Sequence, residues 1–407
     1  MSMRWRDAMR RALYGPSGFF VSGAGPAAHF RTSVHTSPIF TAALLRLIHQ
    51  LDAALGFPDR FDVVDVGAGG GELLNALSVG VSGEPARSGR SGLIAARAGS
   101  PETLTTTAAV GTTPGGVSSG SVDSSPSAPV PLALRVRLTA VELAPRPADL
   151  PDQITWTNEI PGEITGLLLA TEWLDNVPLD LATHTDHGWH YLLVDPTTGT
   201  ETTGEQISPA DLDWLATWWP SPTDQTPGTR ARTGPTPTGD TLPTWRAEIG
   251  RTRDEAWAHA VGHVDRGLAL AVDYGHLRAE RPVDGTLTGY RGGRQVPPVP
   301  DGSCDVTAHV AIDSVASAGE RVARCAYVLT SQREALRALG ADGGRPPLSL
   351  ASSDPAGYLR ALATASAAAE LTDPAGLGGH LWLWQPVGLP ADRLPLDQSS
   401  PISSERR

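Results

Sequence analysis

The sequence predicts an α/β fold built on a doubly wound, mostly parallel sheet, and three observations carry that prediction. A short apolar run, Phe61 to Val66, opens into a glycine-rich turn and then a helix. Two more apolar runs, Gly166 to Thr171 and Gly267 to Val272, are closed by the acids Glu172 and Asp273. Between the runs lie segments with helical spacing, as a wound sheet requires. Unbroken runs of Val, Leu and Ala bounded by glycine fit strands buried on both faces better than half-exposed ones.

The turn after Val66 is the most informative stretch. Gly67, Gly69 and Gly71 let the chain reverse tightly and bring bare backbone against a ligand, while a helix starting near Glu72 directs free N–H groups there. A dinucleotide fingerprint needs G-x-G-x-x-G/A. Counted from Gly67 its last position is Glu72, and counted from Gly69 it is Leu74, so the pattern fails in both registers. What stands is D-x-G-x-G-x-G from Asp65 to Gly71. An acid at the strand end repels a pyrophosphate and suits a ligand with a cationic centre and an ammonium group, the description of S-adenosylmethionine. The stretch resembles the first motif of the Rossmann-like methyltransferases, with Asp65, Gly67, Gly69 and Gly71 as cofactor-binding candidates. A glycine turn in an unrelated α/β protein is the competing reading.

Composition narrows the partners. The chain of 407 residues carries a formal net charge of -12, and all 32 basic residues are arginine. With no basic excess to neutralise phosphates, general binding to nucleic acid or to an anionic membrane is not expected. Cys304 and Cys325 offer no disulfide framework or zinc spacing and suit a reducing, cytoplasmic compartment. No apolar run approaches the ~18 residues of a membrane span. At the start, Trp5, Met9 and Leu13 recur at helical intervals; a short packing helix and an Arg-rich targeting segment are the two readings.

In chain order, residues 1–60 read as an N-terminal helical segment with a lid loop over the cofactor. Ser37 before Pro38 is an N-cap with proline at the first helical position, opening a helix to about Leu55. That helix start is either an anion site or an ordinary cap. Residues 61–179 form the first half of the core. Within them, 82–131 hold no aromatic residue and are dominated by Ser, Gly, Thr, Ala and Pro, the composition of a disordered insert. Leu132 to Val141 is the second strand, closed by Glu142. In such folds an acid at this strand end, ~20 residues past the glycines, holds the ribose hydroxyls, and excising the insert nearly restores that interval. Ile154 to Trp156 is a short third strand and Gly166 to Thr171 the fourth. Glu172, Asp175 and Asn176 then fall beyond the strand's carboxyl end, where a transferable group would sit. There, buried carboxylates can hold an amine or guanidinium in line.

Residues 180–263 read as an accessory insertion: a hairpin of Leu181 to Thr185 and Gly188 to Val194, helices over Pro209 to Trp219 and Trp245 to His263, and a flexible stretch at 220–243. His184, His187 and His190, and the pair His259 and His263, are read as exposed or packed histidines rather than metal ligands. Residues 264–386 return to the core, with strands at Gly267 to Gly275, Cys325 to Leu329 and His380 to Gln385 and a helix from about Asp305 to Ala318. A Pro-rich tail, 387–407, frays.

Several segments together resemble the MidA-like family of S-adenosylmethionine-dependent methyltransferases, which includes the mitochondrial complex I assembly factor with protein-arginine methyltransferase activity. The family's Thr-Ala-Pro-Glu-x-Ser-Pro-x-Phe segment stands here as Thr32 to Phe40, its Asn-Glu-Phe-Leu-Asp-Ala-Leu-Pro as Thr171 to Pro178, its Asp-Tyr-Gly as Asp273 to Gly275, its Tyr-Arg as Tyr290-Arg291, and its Thr-Ala-His-Val as Thr307 to Val310. The resemblance implies a seven-stranded Rossmann-like methyltransferase fold and S-adenosylmethionine as cofactor. It also implies cofactor contacts from Thr32 and Ser37, and N-methylation of a protein side chain, arginine among the candidates. Glu172 and Asp175 would orient the acceptor nitrogen. His35 stands where the family has glutamate and Thr171 where it has asparagine, which leaves His35 as a candidate base. A methyltransferase fold retained as a silent assembly or scaffolding protein is the alternative; a nicotinamide enzyme is disfavoured by the missing last glycine.

Overall fold

The computed structural model describes residues 1–22, 38–83, 129–219, 245–282, 284–341 and 344–389. The proposed inserts at 82–131 and 220–243, the loop carrying Thr32, His35 and Ser37, and the tail from 390 lie wholly or almost wholly outside them.

The centre is a seven-stranded mixed sheet. Its strands are β1 (Phe61–Val66), β2 (Val136–Val141), β3 (Ile154–Thr157), β4 (Ile164–Thr171), β5 (Val264–Asp273), β6 (Val328–Ser331) and β7 (Leu381–Val387). They lie in the order β6-β7-β5-β4-β1-β2-β3. β5, β4, β1, β2 and β3 pair in parallel, and only β7 runs against its neighbours β5 and β6. The chain travels from β1 outward through β2 to β3, then returns to β4 on the other side of β1, so the order switches beside the carboxyl ends of β1 and β4. In open α/β sheets that switch point is where ligands bind.

Both faces of the sheet are covered, which explains the unbroken apolar runs. Val63, Leu167, Leu169, Leu268 and Leu270 pack with α2 (Pro38–Ala54) and α3 (Glu72–Gly83). Val64, Val66, Leu168, Ala269 and Ala271 pack on the opposite side, where Trp257, Ala260 and Val315 come from two helices, Arg251–Gly262 and Ile312–Ala323. At the N-terminus, Met3–Arg4 pairs with Leu193 and Val194, and the helix α1 (Trp5–Tyr14) buries Trp5, Met9 and Leu13. A second sheet forms from Met3–Arg4, Asp180–Thr185, Gly188–Val194, Glu201–Gln206 and Arg246–Ile249, with the helix Pro209–Trp218 placing Trp214 and Leu215 against it.

Three expectations need correction. Asp305 to Ala318 is not one helix: Asp305–Thr307 pairs antiparallel with Thr288 to Tyr290, and the helix starts only at Ile312. The run from Leu132 does not enter the sheet at once: Leu132–Leu134 is a 3-10 turn and Arg135 is helical (φ -115°, ψ -19°). Arg135 is pulled out of the strand by its side chain, which donates to Asp52 (2.9 and 2.7 Å), Pro58 O (2.6 Å) and Val130 O (2.7 Å). Nor is Trp245 to His263 one helix. Arg246–Ile249 pairs with Asp180–Thr183 at the open edge of the second sheet, and the helix starts only after Gly250. Edge pairing there outweighs local helical spacing.

The Arg135–Asp52 pair joins α2 to the foot of β2 with both side chains about 95% buried. Asp52→Ala leaves the guanidinium buried without its counter-ion, so it should cost about 3–5 kcal/mol in a denaturant melt. Replacing both residues by apolar ones of similar volume should cost clearly less.

Candidate functional site

The glycine turn is fixed at the carboxyl end of β1. Gly67 N and Ala68 N donate to Val141 O at 3.0 and 3.3 Å, and Gly71 N closes the turn on Ala68 O at 2.8 Å. Gly67 has φ +74° and Gly69 φ +57°, the left-handed region that favours glycine. The two positions exclude side chains for different reasons. A Cβ on Gly67 would lie 2.7 Å from Trp173 Cδ1, so the indole after β4 rests directly on this backbone. A Cβ on Gly69 would meet nothing nearer than Glu72 Oε2 at 3.8 Å; the residue faces open cavity. Glu142, at the end of β2, accepts Gly69 N at 3.0 Å through Oε2 and Leu143 N and Ala144 N at 2.7 and 3.0 Å through Oε1.

Past β4 the chain makes a strained step. Glu172 has φ +51°, unusual for a residue with a Cβ and a recurrent mark of functional segments. A 3-10 turn, Leu174–Asn176, then buries Asp175. Asp175 Oδ2 accepts the Tyr274 hydroxyl and Thr307 Oγ1 (2.8 Å), whereas Oδ1 is buried with no hydrogen-bond partner. Asn176 Nδ2 donates to Asp305 Oδ1 at 2.9 Å. Asp273, ending β5, accepts Leu174 N, Asp175 N and Tyr274 N at 3.0, 3.2 and 2.9 Å. Behind them Arg253 donates to Asp175 O, Val177 O (3.1 Å), Ala308 O (2.9 Å) and His309 O (3.0 Å).

These groups border a cavity of about 1240 Å³ over the switch point. Its wall includes Gly67, Gly69, Glu142, Glu172, Trp173 and Asp175, together with Tyr14, Tyr274, Tyr290, Asp305, His309 and His380. That exceeds the usual pocket of one small ligand and leaves room for two reactants. Its electrostatics are strongly acidic. Burial, reinforced by Glu142 and Glu72, pushes the Asp65 carboxyl up to about 8. Burial likewise raises Asp175, and raises Asp273 and Asp305 well above the carboxylate range, each with Asp175 as the next contributor. The Tyr274 hydroxyl is raised by burial and then by Asp175, so it serves as a donor. Burial lowers His309, and lowers His380 to about 4, so both imidazoles are neutral near pH 7.

The sequence candidates divide accordingly. Gly67, Gly69, Glu142, Glu172 and Asp175 meet on one cavity. Asp65 lies buried beneath the turn, and Gly71 faces away from the cavity, its position closed by Leu150 Cδ1 2.7 Å from where a Cβ would stand. Thr32, His35 and Ser37 are outside the described residues. Sequence reasoning assigned no part to Trp173, Arg253, Tyr274, Thr307, His309 or His380. The signal for Tyr274, Thr307 and His309 was their position at a strand end or in a short polar motif; Arg253 sits in an unmarked helix. Among the described residues, no group of three or more His, Cys, Asp or Glu side chains is arranged to hold a metal ion. No helix among them is long and apolar enough to cross a membrane.

The residues present suit a sulfonium nucleoside. They provide a turn open at Gly69, a carboxylate at the end of β2 for paired hydroxyls, and several buried acids whose ionised form a bound ammonium and sulfonium would favour. Residues 132–329 match the family described as "Putative S-adenosyl-L-methionine-dependent methyltransferase". The match takes in Glu142, Glu172 and Asp175 but begins after the glycine turn, which stands on its own geometry. No curated protein matches the sequence. Among solved structures, a Burkholderia thailandensis protein described as a "likely methyl transferase" and bound to S-adenosyl-homocysteine is similar at 19% identity and TM-score 0.68, over 99% of this chain and 92% of that one. A native crystal structure of an uncharacterized superfamily protein from the same organism is similar at 19% identity and TM-score 0.67, over 99% and 91%. At that identity the likeness is one of fold. The family match covers just under half of the chain, and over that stretch the protein is similar to S-adenosylmethionine-dependent methyltransferases.

Asp65 gives a pH test of the acidic turn. An acid at 3.8 in the unfolded chain and about 8 in the fold holds a proton in the native state across that window. Its contribution to stability is therefore full below about pH 4 and is lost as pH rises toward 8. Thermal unfolding of the cofactor-free protein should fall more between pH 5 and 8.5 in the wild type than in Asp65→Asn, which cannot titrate. Equal slopes would contradict the assignment.

Proposed function

We propose that the protein transfers a methyl group from S-adenosylmethionine to a nitrogen of a protein side chain, arginine among the candidates, in a soluble cytoplasmic setting and on the Rossmann-like methyltransferase architecture. The order β6-β7-β5-β4-β1-β2-β3, with β7 alone reversed, supports that architecture. The MidA-like resemblance of Thr171 to Pro178 and Asp273 to Gly275 supports the acceptor class. One observation carries the reading: the acids Glu172 and Asp175, within one turn of each other, line the same cavity as the open glycine turn.

When bound, the cofactor supplies an electrophilic methyl on a sulfonium. The chain's own work is placement. Gly67 and Gly69 leave backbone bare beside the cavity, and Glu142 is the carboxylate for the ribose hydroxyls. Glu172 faces the acceptor side, and the unpartnered Oδ1 of Asp175 lacks a donor that a guanidinium or ammonium would provide. Tyr274 and Thr307 fix the orientation of Asp175 by bonding its other oxygen. Displacement at a methyl group requires little proton transfer at the transition state, so alignment should supply most of the acceleration.

Calorimetry tests the cofactor step: Gly69→Arg should abolish uptake of S-adenosylmethionine while circular dichroism stays that of the wild type, and a wild type with no uptake would end the proposal. Labelled cofactor incubated with a cell lysate tests turnover. Glu172→Gln should keep cofactor binding and lose roughly 100-fold in label transfer, the scale of a misaligned acceptor. Cofactor uptake with no label on any protein would favour a silent assembly role over an enzyme acting on proteins.

A further inference from the structure

We propose that His259 and His263 form a two-point site for a late first-row divalent cation, Zn²⁺, Ni²⁺ or Cu²⁺, at the far end of the cavity from the acidic centre. The two residues are four apart at the end of the helix Arg251–Gly262, and His263 keeps helical backbone as its C-cap (φ -88°, ψ -10°). Residues at that spacing share one helix face. Their imidazoles are turned toward each other, with Nε2 to Nε2 at 3.4 Å. Two metal–nitrogen bonds of about 2.05 Å meeting at a tetrahedral angle span about 3.3 Å, so the pair stands at the bite of a chelate. Imidazole nitrogen suits these ions better than calcium or magnesium.

Position separates this site from the methyl-transfer centre. His263 O accepts Ile164 N at 3.0 Å, at the start of β4, whereas Glu172 follows the end of that strand. The 8 residues of β4 put about 25 Å between them at the usual rise of a strand. Both histidines border the cavity, with Asn158, Glu159 and Ile160 also on its wall, so an ion has a way in. Among the described residues, no group of three or more potential ligands gathers there, and the remaining coordination positions fall to water.

The test is calorimetric titration of the tag-free full chain with Zn²⁺ alone. One ion per chain is expected. His259→Gln and His263→Gln should each weaken uptake by at least about tenfold, since even outer-shell changes cost 10–100-fold at metal sites. Uptake of S-adenosylmethionine should be unchanged in both variants, which separates this proposal from the methyltransferase reading. On the wild type alone, Zn²⁺ should shift the Nε2 resonances of two histidines in imidazole nitrogen spectra. A double variant that binds Zn²⁺ as the wild type does, or a wild type in which no histidine resonance moves, overturns the site.

Discussion

One buried guanidinium holds the acidic end of the sheet together. Arg253, 1% exposed, bonds the carbonyl oxygens of Asp175 and Val177 on one side and of Ala308 and His309 on the other. It thereby joins the segment after β4 to the segment that carries His309, two stretches far apart in sequence. All four of these acceptors are backbone carbonyls; burial disfavours the charged guanidinium and lowers its pKa, and the nearby Asp175, Glu248 and Asp273 act against that cost. The arrangement is reciprocal. Without a cation behind them, Asp175 and Asp273 would have still less reason to ionise in so dry a place.

A second constraint follows from the parallel sheet itself. Strands that all finish at one edge leave their last residues side by side, so whatever follows β1, β2, β4 and β5 must share a small space. Here those followers are the glycine turn, Glu142, Glu172 with Trp173, and Tyr274. The contact of Trp173 with Gly67 couples two of them: the indole occupies the volume a side chain at 67 would need. A turn bare of Cβ atoms thus does two jobs, opening at Gly69 and giving a flat seat to an aromatic at Gly67.

This separation of roles also explains what could be read in advance. β1 and the start of α3 were legible because a buried apolar run, a glycine turn and an acidic helix start all agree locally. β4 and β5 were legible for the same reason. Arg135 and Arg246 were not, since their conformations answer to partners elsewhere: Asp52 for the first, the edge of the second sheet for the other. At the site, Glu142, Glu172 and Asp175 stood out as acids at strand ends. Tyr274 and Thr307 bear on Asp175 only once three distant segments meet, and Arg253 lies in a helix whose sequence offers no hint that a charge is turned inward.

The second sheet has a bearing on the cavity wall at His309 that its distance in sequence conceals. Glu248, on the strand Arg246–Ile249, accepts Thr286 N, Thr286 Oγ1 (2.8 Å) and Leu287 N (2.7 Å). Thr286 Oγ1 in turn accepts His309 N at 2.8 Å. Glu248 is 2% exposed, so these bonds are made out of water and are correspondingly costly to break. The backbone of the cavity wall that carries His309 is therefore pinned by a carboxylate that belongs to the accessory strands. A change in that sheet would move His309, and with it that wall of the cavity, while leaving the turn and Glu142 where they are. In a fold whose central sheet holds the glycine turn, this is the route by which peripheral sequence can alter one wall of the cavity without disturbing the other.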